Sequence, residues 1–351
     1  MLDFETICRE FRGLVDRRRD LITFLGTAFA AMSLFLENVF DGKLPPSLAI
    51  LQQNVFAFYA FVLMFISLIL ALRFARLHGG MVMNGMMFAQ LMTQQEFTKK
   101  GDPHRASRHN HTGVSYLQYL MVALIAAFSL FVLTSAFQVW PLFGLMASAS
   151  LFLLLVGYYF WARAQAISFA WQKIRTSTCG PVDENTWRDH ISESLHQSNQ
   201  GLLSELAFAG LMVFSCFGAI SGMGKIEASQ LDVGKESVIL FGPTLYAGLM
   251  LLVCVLESLM YIRLRTAIGQ FSLLLDPTDR PFRLFKLTDS FLGYLILVFL
   301  ACISLHVFLN TFSSLRALGQ SNIMVIDGGL FVALIALQQW NLYLAGRKAG
   351  H

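Results

Sequence analysis

The chain has 351 residues, of which 56% are hydrophobic and 14% charged, with a mean hydropathy of +0.58. That balance excludes an ordinary soluble domain and makes the bilayer the natural solvent. The net charge of +4 needs no nucleic-acid partner, since a bias of Lys and Arg toward one membrane face accounts for it.

Apolar runs of roughly 20 residues without alternation argue for membrane-spanning helices rather than barrel strands. Residues 1–20 place Phe4, Ile7, Phe11 and Leu14 on one face. This spacing predicts a cytoplasmic amphipathic helix lying along the membrane, or alternatively a docking surface. No small-residue cleavage pattern follows the first apolar run, which is therefore expected to be retained. Eight spans are predicted, over 21–40, 52–75, 115–138, 141–164, 203–223, 238–262, 289–313 and 323–345. A cytoplasmic linker, 165–202, joins the first four spans (21–164) to the second four (203–345), and 346–351 form a tail. Within the linker, a helix break is expected at Cys179-Gly180-Pro181, followed by an amphipathic helix carrying Trp187, Ile191 and Leu195.

Positive charge alternates between connections. Arg9, Arg12, Arg17, Arg18 and Arg19 precede the first span, and Arg76, Lys99, Lys100, Arg105 and Arg108 follow the second. Comparable groups follow spans four, six and eight, while the opposite connections hold few cations. Both termini are therefore expected in the cytoplasm, in a plasma membrane or bacterial inner membrane.

The segment Ser115–Phe137 aligns without a gap to Ser290–Phe312, with identities that include Tyr119/Tyr294, Ala126/Ala301 and Ser129/Ser304. Asp102-Pro103 places its Asp 13 residues upstream of Ser115, and Asp276-Pro277 places its Asp 14 residues upstream of Ser290. Downstream, "LFLLLVGYYFW" ending at Trp161 matches "LFVALIALQQW" ending at Trp340. The expected architecture is an all-α polytopic membrane protein made of two tandem four-helix repeats. An even number of spans per repeat gives both copies the same orientation, related by a parallel pseudo-twofold axis.

Several polar residues compete for functional roles. Glu257 lies about six residues, or ~9 Å, inside Arg263, where it either serves a path or reaches an arginine at the interface. Glu205 reads as shallower and interfacial. Glu37 and Asn38, with Gln52, Gln53 and Asn54, lie at the opposite mouth, and His306 and Asn310 sit one turn apart on span seven. Asp102, Pro103, Asp276 and Pro277 fit helix starts, and Trp161 and Trp340 fit interfacial anchors. Met81, Met83, Met86 and Met87, together with Trp187, suggest a packing or partner surface.

The five cysteines, Cys8, Cys179, Cys216, Cys254 and Cys302, lack disulfide or metal spacing, and the scattered histidines do not make the boxes of a metal enzyme. No cofactor, metal or enzymatic role is expected, an intramembrane metal-dependent enzyme being the distant alternative. The leading expectation is a channel or small carrier with a path within or between the repeats. The alternative is an anchoring or assembly subunit whose partners are further membrane subunits or a second copy.

Overall fold

The computed structural model describes residues 4–40, 55–93, 103–137, 139–176, 183–224, 233–275, 289–311 and 320–349. These form eight helices, with no strand among the described residues. They are α1 (Phe4–Phe40), α2 (Val55–Thr93), α3 (Pro103–Ala136), α4 (Pro141–Thr176), α5 (Glu184–Gly224), α6 (Val233–Leu275), α7 (Asp289–Thr311) and α8 (Gln320–Ala349). Pro103 and Pro141 open α3 and α4, where a missing N–H costs nothing. Asp183 caps α5, its Oδ2 accepting the backbone N–H groups of Asn185 and Thr186.

Six helices, α2 to α7, carry segments long and apolar enough to cross a membrane among the described residues. The expected first and eighth spans, 21–40 and 323–345, lie partly outside the residues whose side chains are described.

The helices are longer than the expected spans, and the helix break expected at Cys179-Gly180-Pro181 lies outside the described residues. α1 is one helix of 37 residues, about 55 Å long. Its first turns take up the docking alternative. Phe4, Ile7 and Cys8 are buried against Met87 and Phe88 of α2, with Ile174 of α4 and Trp187 of α5 packed around them. Phe88 stacks on Trp187 with centroids 6.0 Å apart, and Phe4 meets His190 edge-on at 5.8 Å. The amphipathic face thus docks within the molecule. In the same way α5 runs from the linker into the membrane segment without a break.

Packing follows a ring. α1 packs on α2, α2 on α3, α3 on α6, α6 on α5, and α5 back on α1. Outside the ring, α4 rests on α2 and α3, while α7 and α8 rest on α6. α4 is the least enclosed of the six apolar segments and turns Leu153, Leu154, Phe160 and Trp161 outward. Close approach between helices uses small residues. A Cβ at Gly79 of α2 would stand 3.3 Å from Ala166 Cβ of α4, and one at Gly293 of α7 would stand 2.6 Å from the Tyr261 hydroxyl of α6.

Two tyrosines at matched sequence positions make the same bond. Tyr119 of α3 donates its hydroxyl to the Leu155 carbonyl of α4, and Tyr294 of α7 donates to the Leu334 carbonyl of α8, at 2.7 Å. Leu155 and Leu334 also occupy matched positions in the two "LF" segments. Ser129 and Ser304 each return a hydroxyl to the carbonyl four residues earlier. The halves also meet unequally, since α3 belongs to the ring and α7 lies outside it.

Tyr119→Phe and Tyr294→Phe each remove one interhelical hydrogen bond and little volume. Each should lower unfolding stability by about 1 kcal/mol, measured as denaturant-induced loss of helicity in detergent. No change in either variant would show that these bonds do not hold α4 and α8 to the bundle.

Candidate functional site

Inside the ring, at the end that holds the N-terminal halves of α1, α3 and α5 and the C-terminal half of α6, polar side chains gather from every ring helix. Arg18 comes from α1, Met81 from α2, Ser115 and Gln118 from α3, Glu205 from α5 and Glu257 from α6. All are at least 96% buried. Helix periodicity aims them inward: Ser115, Gln118 and Val122 lie on one face of α3, and Glu257, Tyr261 and Leu264 on one face of α6.

The connections run across the ring. Arg18 Nη1 donates to Ser115 Oγ at 2.9 Å, and Ser115 Oγ donates to Met81 Sδ at 3.6 Å. Gln118 Nε2 donates to Glu205 Oε1. Arg18 is the opposite charge that acts on Glu205. The carboxyl of Glu257 lies within hydrogen-bonding reach of the Glu205 carboxyl. No N–H or O–H of another described residue reaches either oxygen of Glu257, Oε2 of Glu205, or Oε1 of Gln118. Four buried acceptors therefore face one another with one guanidinium nearby, an arrangement that is costly unless a positive charge joins it. Toward the end of the bundle, Arg19 Nη1 donates to Gln200 Oε1 at 2.7 Å, and Gln200 contacts His196 at 2.9 Å.

This geometry overturns the interfacial reading of Glu205. The predicted span boundary put that residue near a helix start, whereas it is 21 residues into α5, buried beside Glu257. Glu257, in turn, meets a second acid rather than an arginine at its carboxyl. Arg18 was counted only as a topogenic cation and is the buried base of the cluster.

The other candidates lie elsewhere. His306 is on the outside of the bundle, half exposed, with Nδ1 2.9 Å from Asp327 Oδ2 of α8. Asn310 donates to the His306 carbonyl. Asp327 was missed in the sequence, although it interrupts the apolar run "IMVIDGGLF". The side chains of Glu37 and Asn38, and residues Gln52, Gln53, Asn54, Asp102, Asp276 and Pro277, lie outside the described residues, and of Pro103 only the backbone, at the start of α3, is described.

Met81 and Met87 are buried, at 1% and 0% exposure, so α1 and α5 of the same chain already cover much of the proposed partner surface. Met83 and Trp187 join that packing, and Met86 is half-buried. Trp161 and Trp340 are exposed, each beside a tyrosine, Tyr158 and Tyr343. A separate open groove of about 650 Å³ runs between α2 and α4, lined by Arg76, Gly79, Tyr158, Trp161, Gln165 and Gln172 among others. His78 packs against Tyr159 of α4, whose hydroxyl is 3.1 Å from Nε2.

Among the described residues, no group of three or more His, Cys, Asp or Glu side chains is arranged to hold a metal ion. Searches of protein-family models, curated proteins and solved structures yield no match to the chain.

Arg18→Gln removes the charge that faces Glu205 and weakens the bond to Ser115. It should cost about 2 kcal/mol, read as a lower denaturation midpoint in detergent. A double-mutant cycle with Ser115→Ala should show non-additivity, and strictly additive losses would mean that the two side chains are not coupled.

Proposed function

We propose that the chain is an integral membrane transport protein, a channel or small carrier, whose path passes through the five-helix ring. The observation that supports this reading is the buried pair Glu205 and Glu257, which lies beside Arg18 and Gln118 with three carboxyl oxygens lacking donors. Ionisable side chains within a membrane bundle are costly to keep, and their usual uses are ion pathways and relays. Phe29, Phe208 and Tyr246, on three of the ring helices, are fully buried. We read the arrangement as a closed conformation, in which helix movement precedes passage. His306 and Asn310 lie outside the ring and take no part in this path.

The same reading includes eight spans, with both termini in the cytoplasm of a plasma or bacterial inner membrane, and no catalytic role. It also includes a tandem duplication. Supporting the duplication are the paired bonds of Tyr119 to Leu155 and Tyr294 to Leu334 at matched positions, and the parallel packing of α2 on α1, α3 and α4 and of α6 on α5, α7 and α8. In this view the second copy has let α7 move outward, so that α3 alone completes the ring.

A second reading is a noncatalytic membrane subunit that anchors or assembles a complex. It is favoured by α4, whose outward face carries Leu153, Leu154, Phe160 and Trp161 in the membrane segment and continues to Phe169 and Trp171. Contact with lipid is a sufficient role for an apolar face of this kind, so transport is the better supported reading.

Ion flux into liposomes that contain the purified chain tests the choice, with protein-free liposomes as baseline. Flux of protons, Na⁺ or K⁺ above baseline is expected, falling about tenfold or more in Glu257→Gln if that carboxyl lies on the path. Wild-type flux at baseline for every ion and voltage, together with a stably copurifying membrane partner, would replace transport with the assembly reading.

A further inference from the structure

The pair has a composition that identifies its occupant. The carboxyl groups of Glu205 on α5 and Glu257 on α6 lie within hydrogen-bonding reach of each other, both almost fully buried and with three oxygens that receive no hydrogen from another described residue. Two ionised carboxylates have no hydrogen to place between them, and a direct contact of this kind requires one proton. Among the described residues, one compensating charge acts on the pair. Arg18 from α1 acts on Glu205, Gln118 from α3 is neutral and spends its N–H on Glu205, and Cys254 on α6 itself adds no cation near Glu257. Arg19 lies farther out, paired with Asp16 at 3.2 Å and bonded to Gln200. The orphaned Oε1 of Gln118, 99% buried, is a further acceptor beside the pair.

We propose that Glu205 and Glu257 hold one exchangeable proton between them, and that a proton is the transported or coupling ion of this chain. The inference rests on the transport reading for its second half only. In the occupied state, the O–H of one carboxyl donates to an oxygen of the other, and the assembly of two acids, one proton and Arg18 is neutral. In the release step that O–H bond breaks, the proton passes to a water molecule as hydronium, and two carboxylates remain before Arg18. Reprotonation from water on the same or the opposite side re-forms the O–H bond. The excess negative charge of the empty state supplies a physical reason for helix movement, since α5 and α6 repel at this point and Arg18 attracts both acids.

Infrared spectroscopy of the full chain in lipid reads this proton directly. A protonated-carboxyl stretch is expected at neutral pH, shifting in deuterated water and on isotopic labelling of glutamate. Glu205→Gln and Glu257→Gln should each abolish or displace it. The labelling arm uses the wild-type protein, so a variant that fails to fold does not remove the test. No glutamate carboxyl band at neutral pH would overturn the proposal. A band that persists unmoved in both folded variants would overturn it as well. A band present only when Na⁺ is withdrawn at constant pH would assign the site to a metal cation instead. Failure of the flux experiment with the band intact would sink transport and leave the shared proton standing, whereas Na⁺ or K⁺ flux without the band would do the reverse.

Discussion

Charge that cannot reach water is the constraint from which the arrangement of the ring follows. Arg18, Glu205 and Glu257 are buried at 4%, 3% and 0% exposure, and the desolvation of any one of them alone would be prohibitive. They are tolerable only as a set, so the helices that carry them must meet. α1, α5 and α6 are therefore tied to one another at one level of the bundle, and α3 is tied to them through Ser115 and Gln118. Apart from the Arg19–Gln200 bond, the described contacts between ring helices away from this level are largely apolar, and in lipid such contacts discriminate poorly between partners. The polar level gives the ring its register.

Around this level the packing uses two devices in alternation. Small residues bring helices together, as Gly79 does for α2 and α4 and Gly293 for α7 and α6. Large buried tyrosines then hold peripheral helices by their backbones, Tyr119 on α4 and Tyr294 on α8. Gly293 occupies the position matched to Gln118, and the Tyr261 hydroxyl stands in the space a side chain there would take. The first half thus brings an amide to the acid pair where the second half brings close packing. The two halves use the same frame for different work.

Much of the helical plan was legible in the sequence because lipid imposes length and apolarity on each span. Where the reading went astray, continuity was the reason. A charged segment followed by an apolar one looks like two elements, yet without proline the backbone has no cause to stop, and α1 and α5 run through. That single error displaced Glu205 to the interface and hid its pairing with Glu257. Arg18 was obscured in a different way: in a cluster of five arginines, pattern alone does not distinguish the one that turns inward. Glu257 stood out because its flanks are apolar for more than a turn on either side. Asp327 had a similar context within the expected eighth span, 323–345, and drew no reading there. The methionines suggested a packing or partner surface, and three-dimensional packing is needed to see that Phe4 and Trp187 pack with Met83 and Met87.

The chain order of the buried charges bears on how the protein is made. Arg18 enters the membrane system first, and its bonding partner Ser115 arrives almost a hundred residues later, followed by Glu205 and finally Glu257. Glu205, the acid that faces Arg18, arrives only with α5, and until α6 is in place the ring is open on one side. The aromatic stack that fixes the start of α1 likewise waits for Trp187. The earliest helix to emerge is thus among the last to be locked, and the unfinished bundle must keep a guanidinium in contact with headgroups or water during most of translation. Biogenesis of this ring is consequently a problem of timing, in which the first four helices form a provisional assembly that the fifth and sixth convert into a closed one.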